Sequence, residues 1–179
     1  MNKVYLSDNI FYIENFIENK DLEDLSSFIK DSSGFMPSPN SIHLTKSFLQ
    51  NNNATSFYKK YKEKIYLLLS NKEYTVFPDQ ALKYSESSHG GWAFYPHADA
   101  YDITNTDGNI PIWAYVLYLN EDYEGGEIVY TVKNITIKPK AGTILVHSSL
   151  EDCTHGVKEI LSGERFVIAG FVFNSKNPD

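Results

Sequence analysis

The spacing of apolar residues changes character near residue 80. Before that point two stretches repeat at three and four residues: Leu22, Leu25, Phe28 and Ile29, and then Phe57, Tyr61, Ile65, Leu68 and Leu69. Such spacing gathers apolar side chains on one side of a helix, so helices are predicted from about Asp21 to residue 31 and from about 54 to 70. Asp21 suits the positive end of the first helix, and the lysines of the second fall on its water side. IFYIENFI, from Ile10, alternates enough to predict a strand, while SSGFMPSPNS, with two prolines and a glycine, predicts a loop.

From Gln80 onward the runs are short, β-branched or aromatic, and separated by Gly, Asn and Pro. They predict strands near 81–86, 92–98, 111–119, 126–131, 134–138, 142–147, 154–158 and 164–173. This many short strands in succession suggest an α+β, mainly β fold: a double-sheet jelly roll, or double-stranded β-helix, braced by the N-terminal helices. Its mouth is a natural ligand site. No internal repeat or linker interrupts the pattern, so residues 1–179 are expected to form one domain, with a helical support region at 1–79 and the jelly-roll core at 80–173.

Composition narrows the partners. The chain has 179 residues, 42% of them hydrophobic, which is enough to bury a core. A net charge of −7 argues against a nucleic-acid surface, which demands basic side chains. There is no apolar run of membrane-spanning length, and MNKVYLSDNIF lacks the apolar core of a secretory signal. A single cysteine permits no internal disulfide, so a reducing, cytoplasmic setting is expected.

Within the strand-rich half, His97, Asp99 and a later His155 are candidate metal ligands. Two neutral imidazoles and a carboxylate can occupy one face of an octahedral iron(II), leaving the other positions for a chelating substrate and dioxygen. Two residues apart in a strand, His97 and Asp99 would share a face. Arg165 is permanently charged and forks onto carboxylates, which suits the far end of a dicarboxylate. The blander alternatives are a strand-end histidine with a turn-capping aspartate, and a surface arginine paired with Glu164 or Glu127. His147 could instead complete a tetrahedral zinc site. His43 and His89 fall in loop segments without partners at ligand spacing, and Cys153 is expected to be a small buried hydrophobe.

The order of motifs adds to this: YPHADAYD, WAYVLYLN, EGGE, IKPKAGTILVHS, THGV and GERFVIAGFVF, over roughly residues 80 to 173. It resembles the iron(II)/2-oxoglutarate oxygenases, closest in layout to the prolyl 4-hydroxylase group. The resemblance implies Fe(II), 2-oxoglutarate and dioxygen, with ascorbate compatible as a reductant. It implies His97, Asp99 and His155 as metal ligands and Arg165 on the remote carboxylate of 2-oxoglutarate. Lysine is usual there in prolyl 4-hydroxylases proper, and arginine in oxygen-sensing branches. Tyr118 in YLN and Tyr84 in ALKYSE match cosubstrate-pocket tyrosines, and Ile128 after the glycine pair would add apolar contact; core packing is the alternative for each tyrosine.

The activity so implied is hydroxylation of an unactivated C–H bond, first of all on a prolyl residue of a peptide or protein. The alternatives are the same chemistry on a free amino acid or other small molecule, and a noncatalytic metal-binding jelly roll. Residues 85–91 and 100–109, polar and flanking the first ligands, are expected to close over substrate, with Trp92 and Trp113 as candidate stacking surfaces.

Overall fold

The computed structural model describes residues 2–31, 36–38, 41–48, 56–69, 74–85, 91–102 and 110–174. In chain order the elements are β1 (Val4–Ser7), β2 (Ile10–Ile13), α1 (Asn19–Asp31), β3 (Met36–Ser38), β4 (Ser41–Phe48), α2 (Ser56–Leu69), β5 (Tyr74–Ser85) and β6 (Trp92–His97). The short helix α3 (Asp99–Asp102) follows, then β7 (Pro111–Tyr118), β8 (Glu124–Gly125), β9 (Ile128–Tyr130), β10 (Ile135–Ile137) and β11 (Ile144–Ser148). A 3-10 turn at Glu151–Cys153 leads to β12 (His155–Lys158), β13 (Ile160–Ser162) and β14 (Glu164–Asn174).

Among the described residues the strands form a major sheet of eight in the order β1-β2-β11-β7-β14-β5-β4-β3, a minor sheet of four in the order β10-β9-β12-β6, and a β13-β8 ribbon. The period-two alternation of β7, β11 and β14 gives the major sheet two buried faces. One carries Tyr115, Leu117, Ile144, Val146, Phe166 and Ile168, which pack with Leu25 and Ile29 of α1 and Tyr61 and Ile65 of α2. The other carries Tyr118, Leu145 and Val167, which pack with Ile128, Tyr130 and Val157 of the minor sheet. The helices therefore brace one side of the major sheet, and the second core lies between the sheets. Each fully buried Leu, Ile or Phe in these layers contributes about 1.5–3 kcal/mol. Tyr61 also donates its hydroxyl to Asp21 and accepts from Glu18 N at 3.0 Å, tying α2 to the start of α1. The side chains of Phe28 and Phe57 fall outside the description.

The mainly β jelly roll braced by helices is as expected, and every strand expected after residue 80 is present. Residues 1–79, read as helical support, also supply β1, β3, β4 and the first part of β5. SSGFMPSPNS is not all loop, because β3 runs through Pro37. Among the described residues that strand is the outermost of the major sheet, the position at which proline is tolerated in a strand. β1 lies at the opposite edge with a largely exposed pattern, so it carries no alternating signal. His43 lies in β4, not in a loop, and His89 lies outside the described residues.

Candidate active site

The minor sheet builds the centre of the site. β12 and β6 run antiparallel with His155 directly opposite His97, and on the other flank of β12 Tyr130 of β9 lies opposite His155. Cross-strand partners share a face, so Tyr130, His155 and His97 form a row across this sheet. Their rings are 5.7 Å and 4.7 Å apart, centroid to centroid. The β12/β6 register shifts just after His155, the kind of irregularity that re-aims side chains beside a site. Gly156 permits the close approach: a Cβ there would stand 2.8 Å from the Trp92 ring and 2.9 Å from the Phe94 carbonyl oxygen.

Asp99 departs from expectation. β6 ends at His97, and Asp99 opens α3 instead of continuing the strand. Its backbone is held by Ala100 N donating to Ser149 O at 2.9 Å, which draws the turn toward the end of β11. The residue is 4% exposed, and Oδ1 lies 3.3 Å from His97 Nε2. One ligand atom each from His97, Asp99 and His155 lies within 4.8 Å of the others. His147 is not in that cluster, so the four-ligand zinc arrangement is not the one formed.

Tautomers and charges suit a cation. His97 Nδ1 is 2.9 Å from Tyr95 O and His155 Nδ1 is 3.1 Å from Cys153 O. Each of these contacts assigns the ring proton to Nδ1 and fixes the ring, turning Nε2 toward the Asp99 side of the cluster. Burial, reinforced by His147 and His97, pushes His155 down to about 3, so it is neutral near pH 7. Burial alone would raise the Asp99 carboxyl, but His155, His97 and His147 outweigh it and hold it at about 2. At these two positions the result is the protonation state a divalent metal requires: a neutral His155 and an ionised Asp99. Asp99 Oδ2 is buried without a hydrogen-bond partner, as expected of a group shaped for something further.

Arg165 occupies the adjoining part of the same interior. It pairs with Tyr84 across β14 and β5, and Val167, two residues on, pairs with Tyr118 of β7. Its side chain is 2% exposed, with the guanidinium carbon 4.6 Å from the Tyr84 ring centre and 5.0 Å from that of Tyr118. Nε and Nη1 have no hydrogen-bond partner. A buried guanidinium with open donors is expensive unless an anion completes it. Surface pairing is excluded: Glu164 instead meets Lys83 at 2.9 Å. The Tyr118 hydroxyl, likewise without a partner, is pushed up to about 12 by burial against the opposing pull of Arg165, so it stays a neutral donor. Gly126, at φ +70°, makes room, since a Cβ there would meet Ile160 at 2.6 Å, Tyr123 at 3.0 Å and Arg165 at 3.3 Å.

Residues 80–173 match the 2OG-Fe(II) oxygenase superfamily. The chain belongs to that superfamily. Iron(II) and 2-oxoglutarate are the metal and cosubstrate its name carries, and the donor set fits both: two imidazoles and a carboxylate for the ion, an open guanidinium for the acid. By sequence, this oxygenase is 42% identical over 59 residues to prolyl 3-hydroxylase 2 of Homo sapiens, a match covering 30% of this chain and 8% of that protein. By structure, it resembles the viral collagen prolyl hydroxylase of Paramecium Bursaria Chlorella virus-1 in its 2OG complex. The TM-score is 0.74 at 16% identity, over 94% of this chain and 97% of that one. It also resembles a Trichoplax adhaerens prolyl hydroxylase in complex with a hypoxia inducible factor oxygen degradation domain peptide fragment. There the TM-score is 0.73 at 18% identity, over 94% and 84% of the two chains. The fold of the oxygenase is thus that of prolyl hydroxylases.

The residues singled out in the sequence meet in this interior: His97, Asp99 and His155 at one place, and Arg165 with Tyr84 and Tyr118 at another. Ile128, 2% exposed, belongs to the same inter-sheet core. Tyr123 and Tyr130 escaped notice, and both hydroxyls are buried without partners. Tyr130 had a signal, since it lies two residues after Ile128 and so on the same face. Cys153 is a buried free thiol pushed up to about 11 by burial. Trp92 lies under Lys158 Nζ at 4.1 Å, and Trp113 packs partly buried against the helix-side core. Of the two segments expected to close over substrate, residues 86–90 and 103–109 lie outside the described residues.

Proposed function

We propose that this chain is one catalytic domain that hydroxylates a prolyl residue of a peptide or protein, using iron(II), 2-oxoglutarate and dioxygen. The reading rests on one observation: a two-histidine, one-carboxylate cluster and a buried arginine with open donors face the same inter-sheet interior. Through His97 Nε2, Asp99 Oδ1 and His155 Nε2 the chain would hold the metal on one face, leaving positions open. The bound metal, with 2-oxoglutarate and dioxygen, supplies the oxidising chemistry that replaces C–H by C–OH. Arg165 Nε and Nη1 donate to the remote carboxylate of the cosubstrate, with Tyr84 and Tyr118 walling its guanidinium and Ile128 adding apolar surface. Burial of these groups excludes water, which strengthens each contact.

A peptide substrate is supported by the prolyl hydroxylases among the relatives, one of them solved with a peptide fragment. Tyr95 and Tyr101, 62% and 69% exposed, lie two residues either side of the first two ligands and offer aromatic surface to such a chain. Among the described residues no helix is long and apolar enough to cross a membrane. The test is anaerobic reconstitution with iron(II), followed by aerobic incubation with 2-oxoglutarate and a library of proline peptides. Succinate release coupled to a gain of one oxygen on a prolyl residue is the expected result. Efficient hydroxylation of a free amino acid with no activity on any peptide would overturn the substrate assignment.

A further inference from the structure

His147 is the buried histidine that the three-ligand cluster leaves over. It reaches the site from the opposite sheet, on β11 between Ile10 of β2 and Ala114 of β7, and is 1% exposed. Its ring centre lies 4.3 Å from that of His155 and 5.5 Å from that of Tyr130, edge-on to both. Nδ1 is 3.1 Å from Ser148 O, a contact that assigns the proton to Nδ1. The same Nδ1 lies 4.0 Å from Asp99 Oδ2, the carboxylate oxygen without a hydrogen-bond partner. Asp99 Oδ1 is turned the other way, 3.3 Å from His97 Nε2.

A carboxylate that binds a metal through one oxygen needs a donor on the other, since the ionised group only accepts and its orientation is otherwise loose. We propose that His147 is a positioning residue: in the metal-loaded site its Nδ1–H is shared between Ser148 O and Asp99 Oδ2, holding Asp99 to the ion through Oδ1 alone. This rests on the three-ligand reading above. Bringing Nδ1 from 4.0 Å to hydrogen-bonding distance takes a movement of about 1 Å, within the broad terminal torsion of an aspartate. The consequence is functional. A carboxylate held by one oxygen leaves open the positions that a chelating cosubstrate and dioxygen need, whereas one free to turn can bind through both oxygens and close one of them.

The test separates the two nitrogens of the ring. His147→Asn keeps an N–H near the place of Nδ1, His147→Gln offers one near Nε2, and His147→Phe keeps an aromatic ring with no donor. Manganese(II) dissociation constants would be measured by calorimetry on the full chain without cosubstrate, with the melting temperature of each metal-free variant as the folding control. His147→Gln and His147→Phe should raise the dissociation constant by about 10–100-fold, the usual effect of losing a partner to a metal ligand, while His147→Asn stays near wild type. Equal affinity in all variants overturns the proposal. So does retention in His147→Gln with loss in His147→Asn, because Nε2 would then be the working atom. If His147→Phe fails to fold, the Asn and Gln variants decide between them. Absence of manganese binding by the wild type would sink the three-ligand reading, and the role of His147 with it.

Discussion

Replacing Arg165 by methionine separates a ligand-binding arginine from a structural one. The residue is 2% exposed, and Nε and Nη1 have no partner, so the metal-free, ligand-free protein carries a buried charge that the neighbouring tyrosines compensate only in part. Stacking on Tyr84 and Tyr118 offsets part of that penalty, by about 2 kcal/mol for a desolvated cation over an aromatic ring. An apolar side chain of similar length removes the charge and the stacking together, so the stability of the ligand-free form should change by no more than about 1 kcal/mol. The ligand-bound form should behave differently. At about 100 times its Kd, 2-oxoglutarate stabilises the wild type by about 2.7 kcal/mol, or roughly 5–10 °C in Tm for a chain of this size. Losing a charge-assisted contact to a carboxylate costs about 3 kcal/mol, and Kd rises by about two orders of magnitude. The same concentration of 2-oxoglutarate then stabilises Arg165→Met by about 0.3 kcal/mol, a shift of roughly 1 °C. The assay is a thermal melt with manganese(II), with and without 2-oxoglutarate. A variant that melts far below wild type without ligand, yet keeps the full 2-oxoglutarate shift, would refute the reasoning and make Arg165 a structural residue.

Three further outcomes follow from the same geometry. His97→Ala should stay folded but lose manganese binding and turnover, because one ligand atom is removed from a half-buried position; turnover at the wild-type rate would remove His97 from the ligand set. Gly126→Ala should be destabilised by about 1–3 kcal/mol and bind 2-oxoglutarate more weakly, since its Cβ would stand 2.6 Å from Ile160 and 3.3 Å from Arg165 at a positive φ; melting and cosubstrate titration check both. The metal-free protein should lose stability as pH falls from 6.5 toward 3, because the unfolded chain takes up the His155 proton in that window while the folded one, with His155 at about 3, does not. Each pH unit in the window removes about 1.4 kcal/mol for that proton, so urea midpoints between pH 7 and 4 should fall less steeply in His155→Gln; equal slopes would count against it.

Much of the architecture was legible because it follows from local periodicity. Nearly unbroken apolar runs in PIWAYVLY and ERFVIAGFVF fit strands buried on both faces, and a spacing of three and four residues fits one-sided helices, wherever those elements pack. Residue chemistry was legible too: His97, Asp99, His155 and Arg165 suit few tasks in combination. Tertiary structure decided which faces met. The row of Tyr130, His155 and His97 depends on β9, β12 and β6 being neighbours, and sheet order is a long-range matter that no local pattern encodes. Asp99 opens a helix instead of extending β6, and the turn is tied by the Ala100 N–H to the carbonyl of Ser149, a partner far along the chain. The strand through Pro37 exists because β4, a long-range partner, pairs with it at the edge of the sheet among the described residues. His147 could by sequence have completed a zinc site, and the structure places it outside the three-residue cluster with Nδ1 4.0 Å from the far oxygen of Asp99. Periodicity states which side of a strand is buried; only packing two sheets together states what each buried side chain touches.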